Sequence, residues 1–291
     1  MRDYTLALQS SLSSVVVPDS SEVTRIIPSE DMDLKPLVWA GGTIENTASG
    51  CKLGIPAGAA SGYRLAQLDD YSGLRRSHFA WYPPLSLALE ARVSNTSPTG
   101  TWGFGFWNDP YGFSLGTGSQ FLRLPALPRT VWFFGASPHN YLSFRDDLPA
   151  NGFRAQVFDS PRFSPALIPA ALALPLAPGT TRCLISRIIS EDASRVNADP
   201  RDWRKYSIDW SLDRTSFRVD DTLILESAVS PRGPLGLVIW IDNQYAAFER
   251  GSRPRWGVEA AAEKAWLEVA EIHIEGGEFE QGLQDRYKGG Q

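Results

Sequence analysis

The stretch "PPLSLALEARVS", residues 83–94, alternates strictly. It sets Leu85, Leu87, Leu89, Ala91 and Val93 on one side and Ser86, Ala88, Glu90 and Arg92 on the other. A period of two is that of a half-buried strand, because successive side chains of an extended chain point to opposite faces. The same period recurs in "WRKYSIDWSL" (203–212), with Tyr206, Ile208 and Trp210 opposed to Lys205, Ser207 and Asp209. "TSFRVDDTLILES" (215–227) reads as a strand, an Asp-Asp turn and a strand, which is a hairpin. "TVWFFGAS" (130–137), "NGFRAQVFDS" (151–160) and "AWLEVAEIHIE" (265–275) add further β-rich runs bounded by turn formers. "GPLGLVIWIDNQYAAF" (233–248) is apolar on both faces, as a covered strand would be. Short strands at even spacing, with no long repeat, heptad or low-complexity tract, predict an all-β protein of jelly-roll β-sandwich type. The one helix-like segment is "TRCLISRIISEDASR" (181–195).

Bulk properties narrow the function classes. At 291 residues and 43% hydrophobic content the chain can bury a large core in one domain. A formal charge of -5, with Arg250, Arg253 and Arg255 interleaved with Gly and Pro, gives no reason to expect nucleic acid or an anionic membrane surface. No run reaches the roughly 18–20 apolar residues of a membrane span. The longest, "ALIPAALALPLAP" (166–178), is shorter and broken by three prolines. Cys51 and Cys183 are too few for a disulfide framework and are expected to be free and buried rather than bridged. The N-terminal stretch has no continuous apolar segment of the secretory kind, so a cytoplasmic location is the expectation. The chain divides into an extension with the first strands (1–37), a sandwich (38–278) carrying an apolar, partly helical insert at 161–195, and a tail (279–291).

"GTWGFGFWNDP" (100–110) follows "NTSPTG", a turn by composition. It is expected to pair antiparallel with the alternating strand before it. Trp102, Phe104, Phe106 and Asn108 share one of its faces, and Gly103, Gly105 and Trp107 the other. Glycines at alternate positions let something approach the backbone closely, either a ligand or a facing layer of protein.

Three segments together resemble the concanavalin A-like lectin and glucanase superfamily, in particular laminarinase-like glycoside hydrolases of family sixteen. These are "LALEARVSNTSPTGTWGFGFWNDP", "WRKYSIDWSLDRTSFRVDDTLILE" and "AWLEVAEIHIE", and the likeness runs from about residue 38 to 275. It implies a sandwich with a carbohydrate-binding cleft. The catalytic signature of that family, Glu-x-Asp-x-x-Glu on one strand, sets two carboxylates on one side for retaining hydrolysis. No Glu of this sequence is followed two positions later by Asp, and the corresponding strand, "TVWFFGASPHN", carries Trp132, Phe133 and Phe134 instead. Ordinary retaining hydrolysis is therefore not expected.

The candidate site residues follow from these strands. A cleft walled by Trp102, Phe104, Phe106, Trp132, Phe134 and Trp240 would stack on sugar rings or on an apolar ligand, with Asn108, Asn243 and Tyr245 as polar contacts. The opposing possibility is a packed inter-sheet core. Asp242, Asn243, Gln244 and Tyr245 form either a loop-fixing network or a ligand set. Were the protein an enzyme, Asp242, His139 and Asp109 would be the candidates for acid-base work. Asp69, Asp70, Tyr71, Arg75, Arg76 and His78 read as mutually neutralising surface charges or as a polar rim to the cleft. Glu271, His273 and Glu275 alternate on one face without a fourth ligand, so no metal is expected, and no phosphate-loop spacing calls for a cofactor. The apolar insert must be covered, as a lid over the cleft or by a protein or lipid partner. The leading expectation is non-hydrolytic carbohydrate binding; the alternative is an enzyme of the same fold, either a divergent glycoside hydrolase or an isomerase or cyclase acting on a hydrophobic small molecule.

Overall fold

The computed structural model describes residues 34–110, 126–161 and 186–276. The strands are β1 (Lys35–Trp39), β2 (Thr43–Asn46), β3 (Gly50–Ile55), β4 (Leu65–Asp69), β5 (Leu85–Val93), β6 (Thr101–Trp107), β7 (Thr130–Ala136) and β8 (Gly152–Asp159). They continue as β9 (Ser190–Arg195), β10 (Arg204–Trp210), β11 (Thr215–Val219), β12 (Thr222–Ser227), β13 (Gly236–Asp242), β14 (Gln244–Ala247), β15 (Arg255–Val258) and β16 (Ala265–Gly276). A front sheet runs in the order β1-β4-β13-β6-β7-β8-β9 and a back sheet in the order β12-β11-β10-β5-β16-β3-β2. All their pairings are antiparallel. The protein is an all-β jelly-roll sandwich, with a small β14-β15 ribbon beside it.

The core lies between the sheets, and aromatic side chains bridge it. Phe104 of the front sheet meets Tyr206 of the back sheet edge-on at 5.1 Å, Phe106 meets Trp210 at 5.8 Å, and Phe133 meets Phe217 at 5.4 Å with planes at 89°. Tilted and edge-to-face contacts of this kind add to area burial, because positive ring edges face negative ring faces. The alternating residues of β5 and β10 point as their period requires: Leu85, Leu87, Leu89, Ala91 and Val93 are buried, as are Tyr206, Ile208 and Trp210. The β11–β12 hairpin turns at Asp220 and Asp221, both at positive φ (48° and 64°), as a two-residue hairpin turn needs.

Two expectations are corrected. β5 and β6 do not pair: β5 sits between β10 and β16 in the back sheet, and β6 between β13 and β7 in the front sheet. The "NTSPTG" segment carries the chain across the core, so the two apolar faces meet across the sandwich instead of lying side by side. Alternation dictates which side chains are buried and leaves the neighbouring strand unspecified. The helix expected over 181–195 is absent at Ser190–Arg195, which forms β9 on the free edge of β8. Open ladder groups on β8 outweigh the helical spacing of the apolar residues before it. Residues 186–188 make a short helical turn, and 181–185 lie outside the described residues.

Cys51 is buried and free, and burial pushes its thiol up to about 12, so it behaves as a small apolar group. Cys183, residues 1–33 of the N-terminal extension, the C-terminal tail after Gly276 and most of the apolar insert lie outside the described residues. Among the described residues no helix is long and apolar enough to cross a membrane.

Candidate functional site

The central strands of the front sheet differ from those of an ordinary sandwich sheet in being buried on their outer face too. Every residue of β7 and β13 is buried, and on β6 only Trp107 is partly open. The register explains why. On β6, Gly103 lies between Trp240 of β13 and Phe134 of β7, and Gly105 between Val238 and Trp132. A Cβ on Gly103 would come within 2.8 Å of the Trp240 ring and 2.4 Å of the Phe133 carbonyl oxygen. One on Gly105, which stands at φ 141°, would lie 2.8 Å from Trp132 Cβ and 2.5 Å from the Val131 carbonyl oxygen. The two glycines therefore clear a strip of bare backbone into which the neighbouring side chains lean.

The result is an aromatic floor. Trp132 lies 5.2 Å from Trp240, 4.9 Å from Phe134 and 5.9 Å from Trp107, centroid to centroid. Trp107 and Trp240 are parallel to within 5° at 6.2 Å. Trp132, Trp240 and Phe134 are 8%, 7% and 5% exposed. The Trp240 indole N–H donates to Thr101 Oγ1 at 3.1 Å. The indole nitrogens of Trp107 and Trp132 and the Thr130 hydroxyl are buried and find no hydrogen-bond partner among the described residues. Trp107 and Thr130 face each other across β6 and β7, so these unmatched groups gather at one end of the floor.

Polar side chains flank the floor on both sides. On the β4 side, Gln67 donates to Asp69 Oδ2 at 2.8 Å and to the Tyr71 hydroxyl at 3.3 Å. Asp69 also receives the Tyr71 and Ser72 amides and the Ser72 hydroxyl. On the β8 side Arg154 is fully buried, with its guanidinium 4.6 Å from the Phe134 ring centroid. Its Nε donates to Gln156 Oε1 at 3.3 Å, and Gln156 Nε2 donates to Glu191 Oε1 at 3.0 Å. Burial pulls the Arg154 pKa down to about 9, opposed by the attraction of Glu191, and burial raises Asp69 and Glu191 above the usual carboxylate range.

The structure divides the residues expected to line one cleft. Trp132, Phe134 and Trp240 share the floor. Trp102, Phe104 and Phe106 point the opposite way, into the inter-sheet core, where Trp102 stacks on Phe153 at 4.5 Å and lies against Gly135. They are core side chains, because a strand shows alternate residues to opposite faces. Asn108 is buried at the end of β6, donating to the Leu127 carbonyl and accepting from the Arg129 amide. Asn243 accepts from the Arg64 amide and donates to the Gly62 and Glu259 carbonyls, which ties loops together. Tyr245 is half-buried on β14, its ring 6.3 Å from that of His139.

The three candidate acid-base residues do not form one centre. Asp242 is paired with Thr101 at one end of β6, and Asp109 follows Trp107 at the other, roughly 20 Å away at the rise of a strand. Asp242 Oδ1 accepts from the Thr101 amide and hydroxyl and the Gln244 amide, and Oδ2 from the Tyr63 hydroxyl. Burial outweighs these donors and lifts the Asp242 pKa to about 7. Asp109 stands at φ 45° and its carbonyl accepts from Arg76. The His139 side chain is 75% exposed, with Nδ1 3.4 Å from Glu259, and Glu259 also accepts from the Ser137 hydroxyl. The charged stretch before β5 is not a mutually neutralising surface. Asp69 is wholly buried, and Asp70 accepts from the Leu237 amide and the Trp81 indole while burial raises its pKa to about 7. Glu271, His273 and Glu275 are exposed on β16, and no cluster of metal-ligating side chains occurs among the described residues.

Arg154, Gln156, Glu191 and Trp107 border the floor and are not among the residues expected from the sequence. The signal was present in "NGFRAQVFDS", where Arg154 and Gln156 interrupt a run otherwise apolar on both faces.

No family model matches the chain, and no curated protein matches it in sequence. Solved structures of similar fold include a carbohydrate-binding module, CBM66, from Bacillus subtilis (10% identity, 84% of this chain and 96% of that one, TM-score 0.38). A legume lectin-like domain from Entamoeba histolytica is 12% identical over 84% of this chain and 88% of that one, with a TM-score of 0.42. A family 16 endo-glucanase from Bacteroides ovatus is 8% identical over 83% of this chain and 94% of that one, with a TM-score of 0.44. At such identities and scores these likenesses say nothing about this chain's ligand.

Proposed function

We propose that the protein is a non-hydrolytic binding protein that receives a carbohydrate on the outer face of the front sheet. The observation that carries this reading is the floor of Trp107, Trp132, Phe134 and Trp240 laid over the glycine strand. A sugar ring offers an apolar C–H face to stack on indoles and hydroxyls at its rim, and here polar side chains flank the rings on both sides. Hydrolysis has little support. The outer face of β7 presents Thr130, Trp132, Phe134 and Ala136, and the carboxylates of Asp69, Glu191 and Asp242 each accept two or more hydrogen bonds from the protein.

Trp240→Ala should weaken binding of a neutral oligosaccharide at least about tenfold by calorimetry, as the loss of one stacking partner and its buried surface predicts. Unchanged affinity in a variant that still folds would place the ligand elsewhere. Release of reducing ends by the wild type would overturn the non-hydrolytic part.

A second reading draws on the low exposure of the three inner rings, 5–8%, which is closer to an enclosed pocket than to an open platform. It assigns the floor to a hydrophobic small molecule, held or isomerised there. Saturable binding of an apolar fluorescent dye, lost in Trp240→Ala and not displaced by sugars, would favour it over the carbohydrate.

A further inference from the structure

Three of the polar groups left unmatched around the floor, all but the Thr130 hydroxyl, share one chemical property. Trp107 Nε1, Trp132 Nε1 and Arg154 Nη2 are buried atoms without a hydrogen-bond partner among the described residues, and indole and guanidinium nitrogens donate and cannot accept. A buried donor left unmatched is costly, and more so when it is charged. What the face lacks is an acceptor.

Arg154 narrows the kind of acceptor. Its Nε and Nη1 are spent on Gln156 Oε1 and the Gly152 carbonyl, at 3.3 and 3.1 Å, which fixes the guanidinium plane and leaves Nη2 free. No carboxylate oxygen of the described residues makes an ion pair with it. Glu191, the nearest acidic partner by charge, has its oxygens on the Gln156 amide at 3.0 Å and the Phe144 amide at 2.8 Å. Arg195 stands opposite Arg154 across β8 and β9, and its charge works against that of Arg154. The guanidinium rests on Phe134, which in turn stacks on Trp132 at 4.9 Å. The free arm thus borders the floor itself.

Building on the reading of this face as a ligand floor, we propose that the ligand carries a carboxylate, received by Arg154 Nη2 while its ring lies on Trp132, Phe134 and Trp240. Within a carbohydrate this means an acidic sugar, of which a uronate is the simplest kind. A carboxylate would complete the guanidinium's hydrogen bonding, and a charge-assisted bond in a dry site is among the stronger polar contacts available. The depressed Arg154 pKa agrees, since an anion at this place would restore it.

The test uses the full chain and two pairs of probes: an oligogalacturonate with its methyl ester, and 2-naphthoate with 2-naphthamide. Within each pair the shape is kept and the charge removed. The expected result is that the acid of at least one pair binds at least about tenfold tighter than its neutral partner. In Arg154→Gln the acid-to-neutral ratio should fall to about one, and Arg154→Lys should keep part of the preference. Equal binding of acid and neutral forms overturns the carboxylate and leaves the floor intact. Preference for naphthoate with no sugar binding keeps the carboxylate and removes the carbohydrate. Binding of none of the four removes both. Should Arg154→Gln unfold, the acid-to-neutral ratio of the wild type and of Arg154→Lys still decides.

Discussion

The two sheets bury similar inner faces and have opposite outer ones. In the back sheet β5, β10 and β11 alternate between buried core residues and more open polar ones. The outer face there is held by surface chemistry: Lys52 over the Trp266 ring at 4.1 Å, Arg92 over Trp203 at 4.8 Å, and Arg92 paired with Glu268 at 2.9 Å. In the front sheet β6, β7 and β13 are buried almost throughout, and the outer face carries three indoles, a phenyl ring and a fully buried arginine. One inner core suffices to make a sandwich. The second apolar layer, with donors left unmatched in it, is more than the fold requires, and the proposed binding face rests on that surplus.

The comparison breaks most easily at the glycine strip. Gly105→Ala forces a Cβ into the Val131 carbonyl oxygen at 2.5 Å and the Trp132 Cα at 2.6 Å, at a φ of 141° that side chains rarely adopt. It should cost about 3 kcal/mol in urea unfolding. Ala88→Ser, on the outer face of the back sheet, should stay within about 0.5 kcal/mol. Similar costs at the two positions would erase the distinction between the faces.

A gentler probe is pH. Burial raises Asp70 and Asp242, on the front side, to about 7. Between the ordinary carboxylate range and about 7 the folded state then binds more protons than the unfolded one, so stability falls as pH rises through that window. The stability contributed by the two carboxyl groups is complete below the ordinary carboxylate range and lost above about 7. Denaturation midpoints measured from about pH 4 to 8 should show the decline, and Asp242→Asn should flatten part of it. In the loop between β9 and β10, the partly exposed Asp199 is held down at about 2 by Arg201, outside the same window.

The smallest effect is expected from Arg92→Ala. Removing its stacking on Trp203 and its pair with Glu268 should cost about 0.5–1 kcal/mol, and high salt should shrink the difference. A cost of several kcal/mol would mean that the back face depends on packing as heavily as the front.

Much of the fold is legible in the sequence, because burial has a period. The strands at 85–93, 204–210 and 215–227, with their buried sides, follow from alternation and an Asp-Asp turn. Partners do not follow, since β5 and β6 satisfy the same pattern from opposite sheets. The site is legible only in part for the same reason. Aromatic residues on a strand buried on both faces look alike, yet Trp102 and Phe104 belong to the core while Trp107, on the same strand, belongs to the floor. Arg154 and Glu191 come together through the pairing of β8 with β9, a contact that no local pattern encodes.

The floor also makes the protein its own reporter. Trp107, Trp132 and Trp240, three of the ten tryptophans, have centroids 5.2–6.2 Å apart. Indoles this close share their excited states, so the cluster should give a split circular dichroism band whose sign and size depend on the angles between the rings. Anything that settles on the floor and turns one ring by a few degrees would write itself into that band, with no label attached.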